Sequence, residues 1–173
     1  PHFLFNSMNM IAGLLRRDPV VAERAVLDLS DLFRAALGAR EGDSTLAAEC
    51  ELAAQYLSIE SLRLGERLQV QWDKRDPLPW ELPLPRLTLQ PLVDNALVHG
   101  VAPRVEGGLV RIEASWQEGI FRLRVSNPLP TSEPPVSRGA RQGLANIEAR
   151  LTALFGSGAS LSVERRHGRH FTC

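Results

Sequence analysis

Leu89-Gln90-Pro91-Leu92-Val93-Asp94-Asn95-Ala96-Leu97-Val98-His99-Gly100 carries an apolar stripe at helical spacing, formed by Leu89, Leu92, Val93 and Ala96, and ends on a glycine stop. Asn95 and His99 are i,i+4 neighbours flanking that stripe. An amide oxygen so placed can hold Mg²⁺ directly or through water, and a nearby histidine can meet a phosphate. Pro91 predicts a bend or the loss of one backbone hydrogen bond. The pattern also fits a plain helix with a polar edge and a glycine C-cap.

The surroundings of this helix read as α/β. Leu68-Gln69-Val70-Gln71-Trp72 alternates like a half-buried strand, and Pro77 to Pro85 is a Pro-rich connector. Leu109 to Gln117 and Ile120 to Asn127 read as strands joined in a hairpin at Glu118-Gly119. Residues 128–142 have no apolar periodicity and read as a loop. A helix is expected from Gly143 to Phe155, with strands over Ala159 to Arg165 and from Arg169 onward.

The first third is helical. Leu4, Met8, Ile11 and Leu15 form a stripe, and His2, Asn6, Asn9 and Gly13 fall on the opposite face at 100° per residue. Asp18-Pro19 supplies an N-cap and a first-turn proline, for a new helix or a kinked continuation. Ala22, Val26, Leu29, Phe33 and Ala36 form its stripe, and Gly38 stops it. Gly38 to Thr45 reads as a turn. A third helix spans Leu46 to Leu64 with two stripes, one of Leu52, Tyr56 and Ile59, the other of Cys50, Ala53, Leu57 and Leu64. So wide an apolar arc needs more than one neighbour. A helical hairpin pairing with a second chain in a four-helix bundle satisfies both stripes, as does a monomer whose second part covers the extra face. The division between the helical and α/β parts is expected near residue 66, giving 1–66 and 67–173.

Composition excludes several classes. Apolar residues make up 44% and charged residues 23% of the 173, close to the roughly 45–50% and 25% of globular domains. Twenty basic and twenty acidic residues balance, so the basic excess of a dedicated nucleic-acid binder is missing. No run approaches the roughly 18 apolar residues of a membrane span. Two cysteines, Cys50 and Cys173, make neither a disulfide framework nor a zinc site and fit a reducing compartment. The chain opens on Pro1 with a helical pattern already running and closes on Phe171-Thr172-Cys173 as a strand begins. It reads as a fragment of a longer polypeptide, cut within its second part.

Two further segments carry chemistry. In Pro1-His2-Phe3-Leu4-Phe5-Asn6, a neutral imidazole with an unperturbed pKa of about 6.5 is a competent nucleophile. Helix arithmetic turns His2 away from the apolar stripe, and Asn6, one turn on, can orient the ring. The same features fit an ordinary surface histidine. In Gly139-Ala140-Arg141-Gln142-Gly143-Leu144-Ala145-Asn146, a glycine-bearing loop enters a helix, where free N–H groups and the helix dipole suit phosphate. An ordinary loop-to-helix junction fits it equally.

In order and spacing these three segments resemble the LytS/AlgZ-like class of bacterial sensor histidine kinases, over nearly all 173 residues. The opening resembles that class's phosphoacceptor motif, with His2 as the phosphorylated histidine. Leu89 to Gly100 resembles its N-box, with Asn95 in the magnesium position. Gly143-Leu144-Ala145-Asn146 with Arg150-Leu151 resembles the last glycine box, and Tyr56, Ile59, Glu60, Leu62 and Arg63 resemble the end of the second bundle helix. The resemblance implies an α+β fold in two parts. A helical hairpin forms a dimeric four-helix bundle, and a GHKL (Bergerat) α/β sandwich with a mixed sheet follows. It implies ATP and Mg²⁺ as cofactors, held by Asn95, His99, Asn127, Arg141, Gly143, Leu144 and Asn146. His2, Asn6 and Asp94 carry the chemistry. His2 is autophosphorylated and the phosphoryl group passes to an aspartate in the receiver domain of a response regulator, of LytTR type. A homodimer, no direct nucleic-acid contact and a membrane sensor upstream complete the expectation, which places the chain as a cytoplasmic domain of an inner-membrane protein.

The chain also departs from the family. Asp94 stands where the N-box usually has Glu, and a shorter carboxylate can still polarise a water or the histidine. GHKL domains usually carry an Asp-x-Gly-x-Gly box after the hairpin to read adenine, but Val125-Ser126-Asn127-Pro128-Leu129-Pro130 has neither acid nor glycine. Asn127 offers one hydrogen bond in its place. Arg141 stands where a glycine is common, and Arg138 or Arg141 can meet phosphate as a cation. Phe3 follows His2 where many other kinase classes place an acid. Two rival readings stand beside the kinase. One is a degenerate scaffold that dimerises and docks or dephosphorylates the regulator. The other is a GHKL ATPase or serine/threonine kinase without a histidine acceptor.

Overall fold

The computed structural model describes residues 2–37, 43–129, 138–166 and 170–172. Gly38 lies outside them, as do residues 1, 39–42, 130–137, 167–169 and 173. The chain starts with three helices, α1 (His2–Leu14), α2 (Pro19–Leu37) and α3 (Leu46–Leu64), each packed on the other two. A turn separates α1 from α2. Asp18 caps the second helix by accepting from the Val21 N–H at 3.1 Å, and Pro19 is its first residue, so α2 is a new helix rather than a continuation. Phe3 lies against Tyr56, and Asn6, Asn9 and Met10 adjoin Leu62 and Arg63. Thus α1 and α3 advance in the same direction.

The expected hairpin is therefore corrected to a three-helix unit within one chain. Two of the expected stripes shift as well. On α1 the buried residues are Ser7 and Ile11, with Phe3, Leu4 and Met10 beside them, while Met8 and Leu15 are exposed. The ring contact of Phe3 with Tyr56 turns the helix toward α3. On α2 the buried residues are Ala22, Ala25, Leu29 and Leu32, and Val26 is exposed. The wide arc of α3 needs no second chain to cover it, because α1 and α2 pack on it together with the second part of the fold.

That second part grips α3 from its first residue. The stretch expected as a turn ends in a short strand, β1 (Asp43–Thr45), which pairs antiparallel with β3 (Pro83–Pro85) inside the Pro-rich connector. The Leu46 and Ala47 N–H groups, free at a helix start, donate to Leu82 and Trp80 carbonyls at 3.0 Å. Between them in sequence runs β2 (Leu68–Arg75), followed downstream by β4 (Gly108–Gln117), β5 (Ile120–Pro128), β6 (Glu164–Arg166) and β7 (His170–Thr172). The five strands form one mixed sheet, ordered β2-β4-β5-β7-β6, parallel only between β2 and β4. Gln117 pairs with Ile120 across the hairpin, and Glu118 and Gly119 both adopt positive φ, as a two-residue primed turn requires. The expected strand over Ala159 to Arg165 is confined to β6, because residues 159–163 make no ladder.

Val110, Ile112 and Ala114 of β4 and Val125 of β5 alternate inward to the core. Helix α4 (Leu89–Ala96) and a π-helical turn (Leu97–Val101) cover this face. The π turn carries the bond from the Ala102 N–H to the Leu97 carbonyl at 2.8 Å. Burying a side chain such as Leu89, Val93 or Leu97 stabilises the fold by roughly 1.5–3 kcal/mol each. Helix α5 (Arg138–Phe155) packs on α4 and β3, with Ile147 buried. It starts at Arg138, five residues before the expected helix start. Arg, Ala and Gln are strong enough helix formers to carry Gly139 and Gly143 inside it.

Candidate functional site

The candidate site is built on α4. Pro91 is its third residue, where the missing N–H is one the helix leaves unpaired anyway, so the expected bend is not needed. The N–H groups at the helix start go to a carboxylate from another helix. Glu49 of α3, 1% exposed, accepts from Leu87 at 3.0 Å, Thr88 at 2.7 Å and Leu89 at 3.0 Å. A buried anion at a helix N-terminus meets both the unpaired donors and the positive end of the dipole. Leu87 adopts φ 55°, a left-handed conformation that costs of order 1–3 kcal/mol in a non-glycine residue. That turn lets three successive N–H groups converge on one carboxylate. From the other side Arg150 of α5 donates to the carbonyls of Arg86 and Leu87.

Toward the end of α4, Asp94 accepts a short hydrogen bond from the Tyr56 hydroxyl of α3. Tyr56 is 2% exposed. Burial first, then the neighbouring Asp94 charge, pushes its phenol far above the usual tyrosine range. The hydroxyl is therefore a fixed donor. The Tyr56 ring lies 4.8 Å from that of Phe3, the residue after His2. The Asp94 carboxylate and the start of α1 thus share one contact residue. His2 itself is the first described residue of α1; its side chain lies outside the described ones.

Asn95 and His99 are half-buried, and neither side chain is hydrogen-bonded among the described residues. His99 and Gly100 sit in the π turn, a local widening often found at functional sites. Gly100 does not act as a helix stop, since the turn continues through Val101. It provides clearance instead, because a Cβ there would lie 2.1 Å from the Asn127 amide nitrogen. Asn127, 4% exposed, donates to the Pro128 carbonyl at 2.8 Å. Arg104 anchors the following loop to Gly107 and Leu129 at 3.0 and 2.8 Å.

The glycine segment differs from expectation in its local form. The free N–H donors of α5 belong to Arg138 through Arg141, while the Gly143 N–H lies within the helix. Gly143 and Leu144 are half-buried, Asn146 is exposed, and the Arg141 side chain lies outside the described ones. On α1, Asn6 is exposed and lines a groove with Asn9, Met10, Leu62 and Arg63. Arg63 is paired to the buried Glu60. The structure therefore joins Asp94 to the helix of His2 through Tyr56, and Asn127 to the π turn after α4 through Gly100. No hydrogen bond or ion pair joins Asn6 to Asp94 or Asn95 among the described residues.

The donor set suits magnesium held with a nucleotide. Mg²⁺ keeps several waters and phosphate oxygens, so one amide oxygen from Asn95 is a sufficient protein ligand. Sequence reasoning missed Glu49, the hydroxyl of Tyr56 and the role of Arg150. Glu49 left a usable signal, a carboxylate beside Leu46, Cys50 and Ala53 on an apolar helix face.

The histidine kinase family model matches residues 1–68. The sensor histidine kinase BtsS of Escherichia coli K12 is 36% identical over 166 residues, covering 94% of this chain and 29% of the relative. The sensor protein LytS of Staphylococcus epidermidis is 30% identical over 176 residues, covering 95% of this chain and 30% of the relative. The chain thus spans less than a third of the length of these relatives. Among solved structures, the Acinetobacter baumannii histidine kinase AdeS superposes with a TM-score of 0.51 at 18% identity, covering 99% of this chain and 95% of that one. That likeness is one of fold.

Proposed function

We propose, for a chain that belongs to the LytS-like family of sensor histidine kinases, that it is the cytoplasmic core of a two-component sensor kinase. It takes a phosphoryl group from Mg²⁺-ATP onto His2 and passes it to an aspartate of a response regulator, of LytTR type. Residues 1–66 serve as the dimerisation and phosphotransfer part, and 67–173 as the GHKL ATP-binding part. The observation that supports this most is the meeting of α4 and α1 on Tyr56, which brings the nucleotide helix beside the helix of the acceptor histidine.

Bound Mg²⁺-ATP supplies an electrophilic phosphoryl group whose charge the metal offsets. The chain's own residues do the positioning, which dominates the barrier in this chemistry. Asn95 offers its amide oxygen to the metal and His99 meets a phosphate. Asn127 reads adenine with the amide hydrogen that Pro128 leaves unused. Arg141 meets phosphate as a cation, and Gly143, Leu144 and Asn146 border the nucleotide. Asn6 orients the imidazole. Asp94 has one oxygen on Tyr56 and keeps the other to polarise His2 or a water. Exposed apolar residues, Phe5 and Met8 of α1, Leu15 just after it, and Val20 and Leu27 of α2, offer the surface on which a second copy completes a helical bundle. The membrane sensor belongs to the region upstream.

Calorimetric titration with Mg²⁺-ATP tests the nucleotide site, with Asn95→Ala as control. Binding that the control loses, followed by labelling of His2 that His2→Gln abolishes, is the expected result. Absence of binding at millimolar ATP sinks the kinase reading for this chain. The second reading, a docking scaffold, then takes its place. It is favoured by the missing acid in Val125 to Pro130 and by the Asn127 amide held on Pro128.

A further inference from the structure

Tyr56 touches both halves of the proposed reaction centre. Its ring packs on Phe3, one residue after His2, and its hydroxyl bonds Asp94, one residue before Asn95. Packing alone does not require a tyrosine here, because phenylalanine fills the same volume. A buried hydroxyl is costly unless paired, and its partner is the Asp94 carboxylate. Two turns earlier on α3, Glu49 holds the other end of the same helix. Helix α4 is thus fastened to α3 at both ends, and the first turn of α1 rests on the same tyrosine.

We propose that Tyr56 is a positioning residue for phosphoryl transfer. Its ring seats the turn of α1 that carries His2, while its hydroxyl sets the direction of the Asp94 carboxylate and, with it, Asn95. This rests on the histidine kinase reading for its kinetic consequence, and on the contacts alone for its structural one. Removing the hydroxyl leaves Phe3 seated and frees Asp94. Removing the ring unseats both.

The test uses Tyr56→Phe, Tyr56→Leu, Asp94→Asn and the Tyr56→Phe/Asp94→Asn pair. In His2 labelling, Tyr56→Phe lowers the maximal rate about tenfold, shifts half-saturating ATP less than twofold, and adds no loss on top of Asp94→Asn. Amide hydrogen exchange without nucleotide supplies a readout independent of activity. Tyr56→Phe raises exchange several-fold in residues 89–96 and leaves 2–7 unchanged, whereas Tyr56→Leu raises both. An unchanged labelling rate, a loss additive with Asp94→Asn, or an unchanged 89–96 segment in Tyr56→Phe overturns the proposal. If the unaltered protein labels no better than His2→Gln, the kinase reading falls, and the exchange pattern alone upholds or overturns the seat. Should Tyr56→Leu not fold, the Tyr56→Phe arm decides.

Discussion

Glu49 of α3 holds Thr88, at the start of α4, by a 2.7 Å hydrogen bond from the Thr88 N–H to its buried carboxylate. Leu87 and Leu89 donate to the same group. At 1% exposure the group is shielded from solvent. Glu49→Ala leaves three donors of a helix end unpaired, at roughly 1–3 kcal/mol for each group that finds no new partner. Chemical denaturation should show a loss of about 3 kcal/mol or more, with Mg²⁺-ATP binding lost alongside. Glu49→Gln retains one acceptor oxygen and should fall between. A loss below about 1 kcal/mol in Glu49→Ala would show that the carboxylate does not anchor the helix.

Gly100 and Asn127 form a second tight pair. A methyl group on residue 100 overlaps the Asn127 side chain, whose atoms lie 2.1 to 2.7 Å from the added Cβ. Gly100→Ala should destabilise by about 1–3 kcal/mol, the usual cost of overpacking. Asn127→Gly removes all three obstructing atoms, Cβ included, so in that background the Gly100 substitution should cost much less. A double-mutant cycle measures this coupling directly. Equal costs of Gly100→Ala in both backgrounds would mean that backbone conformation, not the Asn127 amide, demands the glycine.

Periodicity made the helices and the β4–β5 hairpin legible, because each buries a regular face and ends on turn residues. It could not place the buried edge of α1, since the ring of Tyr56, more than fifty residues away, decides which side Phe3 takes. Nor could it find β1 and β3. Three-residue strands carry no period and exist because they pair with each other. The start of α5 was hidden by glycines whose penalty the neighbouring helix formers outweigh. At the expected site, residue types and spacing pointed to Asn95 and His99, and the family resemblance pointed to Asn127. Glu49 and the Tyr56 hydroxyl act across long sequence separations, and only the assembled helices reveal their partners.

The exposed apolar residues of α1 and α2 predict self-association. Met8 and Leu27 are 55% and 56% exposed and fill no part of the chain's own core. Met8→Glu/Leu27→Glu should therefore leave the melting temperature of the monomeric fold nearly unchanged, as surface substitutions usually do. A carboxylate facing its own symmetry mate in an apolar contact is strongly disfavoured. Sedimentation should show a dimer for the unaltered chain and a monomer for the variant. A monomer in both cases would remove these faces from the interface.

Tyr56 is the only tyrosine of the chain, so its ionisation can be followed without interference from another phenol. Burial and the adjacent Asp94 charge both disfavour the phenolate, raising its pKa above the ordinary value of 10.0. The folded state then holds a proton that the unfolded state releases at ordinary alkaline pH. Below about pH 9 both states keep it, and stability from this group is fully present and does not vary with pH. Above about pH 10 the unfolded chain binds fewer protons than the folded one, so stability falls as pH rises. Tyrosinate absorbance should accordingly stay flat through pH 10–11 in the folded protein and appear only with unfolding, while urea-unfolded chain titrates near 10. The alkaline fall in stability should be smaller in Tyr56→Phe than in the unaltered chain. A reversible tyrosinate signal near pH 10, with circular dichroism unchanged, would place the phenol in contact with solvent and contradict its burial against Asp94 and Phe3.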